Sequence, residues 1–104
     1  MNNLMSISIT TNDVKSCATI TIVGNFDFSL FNDFRNAYTS LEQDYMIYVV
    51  DLSSVEYLDS AALGMLLSMR NTVSDAAKIQ LKGANDFIKN ILVISRFDKR
   101  FDIQ

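Results

Sequence analysis

The residues best placed to do chemistry lie in one stretch, Tyr57-Leu58-Asp59-Ser60-Ala61-Ala62-Leu63-Gly64-Met65. An apolar strand end gives way to an acid, then a serine, then small residues able to open a helix. A serine there stands at the unpaired N–H groups of a helix start, which favour an oxygen or an anion. A phosphate on Ser60 would meet those groups and the positive dipole end, a local gain of about 0.3–1 kcal/mol. It would also bring about −1.5 to −2 charges beside Asp59, enough to disturb a docked partner. The plainer reading makes Ser60 an N-cap, worth about 0.5–2 kcal/mol. The residues alone leave both readings open.

Other chemistries have less to stand on. Histidine is absent, which removes Ser-His-Asp and Cys-His catalysis and most zinc sites. Val49-Val50-Asp51-Leu52 has the form of an acceptor aspartate at a strand end, yet no adjacent acidic pair exists to hold Mg²⁺. Among three glycines there is neither a P-loop nor a G-x-G-x-x-G. Asp27, Asp51 and Asp59 read as solvated loop acids rather than metal ligands. No cofactor is expected, and no enzymatic activity.

The composition sets bounds. A chain of 104 residues with 49% hydrophobic and 20% charged residues is one globular domain, its core running from about residue 5 to 103. A net charge of −3 with no Lys/Arg run argues against nucleic acid as a partner. Cys17 stands alone in a strand-like run, as a small apolar residue without a disulfide partner. With no secretory signal and no span-length apolar stretch, a cytoplasmic domain without membrane insertion is expected.

The elements that must position Ser60 follow from patterning. Met5 to Thr10 alternates strictly and predicts a half-buried strand at an edge or in an antiparallel pair. Cys17 to Val23 completes a hairpin with it, and Gly24-Asn25-Phe26-Asp27-Phe28 breaks the strand. Ser29 caps a helix from about Leu30 to Leu41, with Phe34, Ala37 and Tyr38 inward. Tyr45 to Val50 is an apolar central strand ending at Asp51, and Ser53-Ser54 is a loop. A second helix then runs from Ala61 to near Asp75, with Leu63, Leu66, Leu67, Arg70 and Val73 on its core face. Lys78 to Lys82 is a strand. Asn85 caps a third helix with Ile88, Ile91, Leu92 and Ser95 inward, and a short strand follows.

The order β-β-α-β-α-β-α-β predicts an α/β domain with a mixed, mostly parallel sheet and covering helices. Sites in such sheets gather beyond the carboxyl ends of parallel strands. There the Gly24–Phe28 loop, Asp51 and Asp59-Ser60 are expected to converge. The core assignment leaves Ala61, Met65, Ser68, Met69 and Thr72 outward, an adaptable strip suited to protein contact. With Asn25, Phe26 and Phe28 of the loop, Met65, Ser68 and Met69 make the expected partner-binding surface.

The element order, the Gly24-Asn25-Phe26-Asp27 turn and Leu58-Asp59-Ser60-Ala61-Ala62-Leu63-Gly64 together resemble the STAS domain family, in particular the bacterial anti-sigma factor antagonists. That resemblance covers nearly the whole chain. It implies a partner-switching module that binds an anti-sigma factor, usually a serine protein kinase, and so releases a sigma factor. Phosphorylation of Ser60 by the kinase would end the complex, and a PP2C-type phosphatase would restore it. Asp59 matches the acid before the acceptor, Gly64 the closing glycine, and Gly24 with Asp27 the bordering loop. Ala61 stands where many members carry a second hydroxyl, and Ala62 where many carry glycine. The family also contains STAS subunits of transporters and lipid-transport complexes, which would use the same helix surface without phosphate.

Overall fold

The computed structural model describes residues 6–104. Met5, assigned by alternation to the first strand, lies outside the described residues. Five strands and three α-helices alternate: β1 (Ile7–Asn12), β2 (Cys17–Phe26), α1 (Phe31–Thr39), β3 (Ile47–Leu58), α2 (Ser60–Thr72), β4 (Lys78–Lys82), α3 (Asp86–Ile94) and β5 (Asp102–Ile103). The sheet order is β1-β2-β3-β4-β5, with β1 antiparallel to β2 and the other pairs parallel.

Register lines up the core. Ile7 lies opposite Ile22, Ile20 pairs with Val50, and Val50 with Leu81. Side chains alternate across the pleat, so these residues share one face. Ile20, Ile22, Val50 and Leu81 are fully buried, together with Phe34 of α1, Leu66 of α2 and Leu92 of α3. The opposite face carries Thr21, Asp51 and Lys82 in one cross-strand row, all at least partly open to solvent. Cys17 is a free thiol and only half-buried.

Four boundaries differ from expectation. Ser53-Ser54 is not a loop: β3 runs through it for 12 residues. The strand absorbs the polar pair by bulging, with register shifts between Thr21/Val23 and Gly24/Asn25 of β2. The bulges change the burial period, so that Leu52, Val55 and Leu58 are buried at intervals of three rather than two. The Gly24 stretch does not break β2 either. Gly24 takes φ +91 within the strand, and pairing resumes to Phe26. Asp27, not Ser29, then provides the cap, its carboxylate accepting the Ser29 N–H ahead of a 3₁₀ turn, Phe28–Leu30, that leads into α1. Helix α2 ends at Thr72, short of Asp75, where Val73 adopts extended backbone.

Candidate functional site

The end of β3 and the start of α2 form the centre of the site. Leu58 pairs with Phe26, and the next N–H, that of Asp59, donates to the Phe26 carbonyl at 3.3 Å. Phe26 and Asp59 are thereby held side by side. Asp59 is extended (φ −112, ψ −178), and its carboxylate accepts the Ala62 N–H at 3.0 Å. Asp59 is therefore the N-cap, and Ser60 is the first helical residue. This corrects the reading of Ser60 as the cap. The acid takes the capping role because it is the extended residue just before the helix, from which a side-chain oxygen reaches the third helical N–H, while Ser60 is already helical.

Ser60 is consequently spare. It is exposed, and its hydroxyl makes no hydrogen bond among the described residues. The Ser60 and Ala61 N–H groups precede the first intrahelical bonds and remain available to an anion. Below Ser60, α2 presents Gly64 and Ser68 to solvent at i+4 and i+8, with Leu63 and Leu67 half-buried along one flank of that row. Ala61 is partly buried. A Cβ on Gly64 would meet nothing within 4 Å, so the glycine opens the helix surface rather than relieving a clash.

The methionine strip is corrected. Met65 is 5% exposed and Met69 0%; both belong to the core with Ala62, Leu66 and Arg70. The helix is turned from the expected orientation by somewhat less than the ~100° between neighbouring residues. Periodicity could not fix that angle, because α2 is apolar nearly all round. Arg70 follows the methionines inward and is satisfied there, donating to the Ser74 carbonyl at 2.7 Å and the Ala77 carbonyl at 3.0 Å.

The β2–α1 connection contributes less uniformly than expected. Asn25 is exposed and lies across from Tyr57, also exposed. Phe26 is fully buried against Phe34, ring centroids 5.2 Å apart, so it cannot contact a partner directly. Phe28 is 66% exposed and stacks on Phe31 at 5.6 Å, an apolar pair open to solvent. Asp27 is occupied within its own turn by the Ser29 N–H and hydroxyl. Ser68 lines a cavity of about 230 Å³ between α1 and α2 with Phe31, Arg35, Tyr38, Met65 and Thr72. Burial pushes the Tyr38 phenol above its ordinary pKa, with the Thr72 hydrogen bond and Arg35 opposing, which keeps that phenol neutral. Phe31 and Arg35 were not singled out by sequence, and Leu63 and Leu67, assigned there to the core face of the helix, are only half-buried. The pairing of Phe28 with Phe31 at i, i+3 was the available signal.

Asp51 does not join this cluster. It sits seven residues before Leu58, about 20 Å back along β3. Its carboxylate accepts the Ser53 N–H at 3.0 Å and the Ser53 hydroxyl at 2.7 Å. Those bonds, with Lys82 nearby, hold it below the usual carboxylate range. No group of three or more acids or cysteines suited to a metal occurs among the described residues.

Residues 9–104 match the family model described as Mlab, STAS domain. The chain belongs to the STAS domain family. A STAS-domain-containing protein of Pseudomonas aeruginosa is 44% identical over 86 residues, covering 82% of this chain and 85% of the relative. Among solved structures, an anti-sigma factor antagonist from Mycobacterium paratuberculosis superposes with a TM-score of 0.78 at 17% identity, over 93% of this chain and 82% of that one. The phosphorylated form of the Bacillus cell fate determinant SpoIIAA gives 0.63 at 12%, over 94% and 90%. A sulfate transporter family protein from Wolinella succinogenes gives 0.72 at 15%, over 84% and 76%. At these identities the structural likenesses establish the STAS fold. No helix among the described residues is long and apolar enough to cross a membrane.

Proposed function

We propose that this STAS domain is an anti-sigma factor antagonist, switched by phosphorylation of Ser60. The unmodified chain binds an anti-sigma factor that is also a serine kinase, and a sigma factor is released. The kinase phosphorylates Ser60 and the complex dissociates; a PP2C-type phosphatase resets it. The chain acts by binding, in the cytoplasm, and contributes no catalysis of its own.

The observation that carries this reading is the division of labour at the start of α2. Asp59 caps the helix through the Ala62 N–H, and Ser60 is exposed with its hydroxyl uncommitted. A phosphate on Ser60 therefore costs the domain no native hydrogen bond. It does place about −1.5 to −2 charges beside Asp59 at the exposed start of α2. The test is intact mass of protein purified from its native host, with and without phosphatase, for wild type and Ser60→Ala. A single phosphate is expected in wild type and none in the variant. Retention of the phosphate in Ser60→Ala would sink the switch. Ser60→Asp is expected to abolish co-purification of the anti-sigma kinase while melting like wild type.

The family leaves a second reading, a STAS subunit of a transporter or lipid-transport complex, and one structural neighbour is a sulfate transporter family protein. On that reading the same exposed face of α2 docks permanently. No phosphate would then be found under any growth condition, and the chain would co-purify with a membrane complex instead of a kinase.

A further inference from the structure

At the other flank of the domain, β1 is an edge strand, and its backbone is only half used. The Val23 N–H donates to the Ser6 carbonyl at 2.8 Å, which identifies Ser6 and Val23 as a hydrogen-bonded antiparallel pair. Such pairs alternate along the ladder, so Ser8, Thr10 and Asn12 also turn their amides toward β2. Ile7, Ile9 and Thr11 turn theirs away from it, to the free edge. Natural edges are usually blunted by charge, proline or a bulge. Ile7–Asn12 has no charged residue and no proline, and its register with β2 is unbroken.

This edge does not face open solvent alone. Between it and α1 lies a groove of about 510 Å³. Its floor is apolar, from Ile7, Ile9 and Ala37, and its helical wall is polar, from Asp33, Asn36 and Ser40. Among the described residues, Asp33 is the only charged one in the lining. We propose that this groove binds an extended segment of a partner protein, which adds to the sheet as a sixth strand beside β1. Outward amides at every second residue fit an extended chain, whose own amides repeat at the same interval. The apolar floor takes the occupant's alternate side chains, and Asp33 selects a segment carrying lysine or arginine on the helix side. A second copy of this chain fits less well. Its β1 brings no cation, and a second Asp33 would join the same edge. The proposal is independent of the role of Ser60.

The experiment is selection of a random phage-displayed library of peptides about ten residues long against the folded protein. Selected peptides are expected to alternate apolar residues and to carry a lysine or arginine. A fluorescein-labelled selected peptide is then titrated by anisotropy. Its binding should slow hydrogen exchange at the Ile7, Ile9 and Thr11 amides. Ile9→Pro removes an N–H that faces the free edge, so the β1–β2 ladder survives while affinity falls about tenfold or more. Asp33→Asn should weaken binding about fivefold, the scale of an exposed ion pair. Ser60→Asp should leave it unchanged. The proposal is overturned by any of four results: no peptide selected above background, equal binding by both groove variants, loss of binding in Ser60→Asp, or edge protection that appears with protein concentration alone, which would mark a dimer.

Discussion

The Asp59 carboxylate holds the Ala62 N–H at 3.0 Å, and the hydroxyl of the serine between them makes no hydrogen bond among the described residues. On the proposed function, stability and regulation fall to adjacent residues. Asp59→Ala should lower stability by about 0.5–2 kcal/mol through loss of the cap. Ser60→Ala should stay within about 0.5 kcal/mol of wild type, as surface substitutions do. Urea melts of the two variants check this. A larger loss in Ser60→Ala than in Asp59→Ala would mean that the serine is the cap.

The burial of Met65 and Met69 reverses what their substitution should do. Met69 is fully enclosed beside Leu66, so Met69→Ala should cost about 2–5 kcal/mol. Met69→Glu should prevent folding, since a carboxylate there would have neither water nor a cation to meet. Ser68→Glu, on the exposed face one residue earlier, should leave the melting temperature nearly unchanged while weakening partner capture. Thermal denaturation followed by pull-down separates the two effects. Equal stability losses at Ser68 and Met69 would refute the assigned helix orientation.

Two glycines make a paired test. Gly83 has φ +78, and a Cβ there would lie 2.8 Å from the Ser53 Cβ, so Gly83→Ala should destabilise both through strain and by pushing on β3. Gly64 is helical with free space around it, so Gly64→Ala should gain about 0.5–1 kcal/mol. The added methyl lies one turn below Ser60 and should reduce partner affinity despite the gain. Denaturant midpoints of opposite sign are the expected outcome.

Much of this was legible in the chain, for identifiable reasons. The alternation of Ile7 and Ile9, the apolar runs of β2 and β3 and the Asn85 cap specify the element order, because each is a local signal that tertiary packing leaves intact. Ile88 donates its N–H to the Asn85 side-chain oxygen at 2.8 Å. At Ser60 the residues alone left cap and phosphate acceptor open, and only the structure, by giving the cap to Asp59, frees the serine hydroxyl. What stayed hidden depends on distant neighbours. The bulges that carry β3 through Ser53-Ser54 exist only against β2, and the rotation of α2 is set by what α1 and the sheet leave to fill. Long, flexible methionines fill that space, while Leu63 and Leu67 are displaced to one flank.

Asp51 supplies a pH signature that owes nothing to Ser60. Hydrogen bonds from Ser53, side chain first and then backbone, lower its pKa, and Lys82 across the strand pair adds to them. A carboxylate lowered on folding contributes stability above its unfolded value of about 3.9. That contribution is lost as pH falls through the lower folded value. Wild type should therefore exceed Asp51→Asn in stability at neutral pH, with the gap narrowing below about pH 4. Ser53→Ala removes the leading cause and should move the Asp51 titration, followed by NMR at its carboxyl carbon, back up toward the ordinary range. If the carboxyl titrates at the same pH in wild type and Ser53→Ala, the Ser53 hydroxyl bond is not the cause.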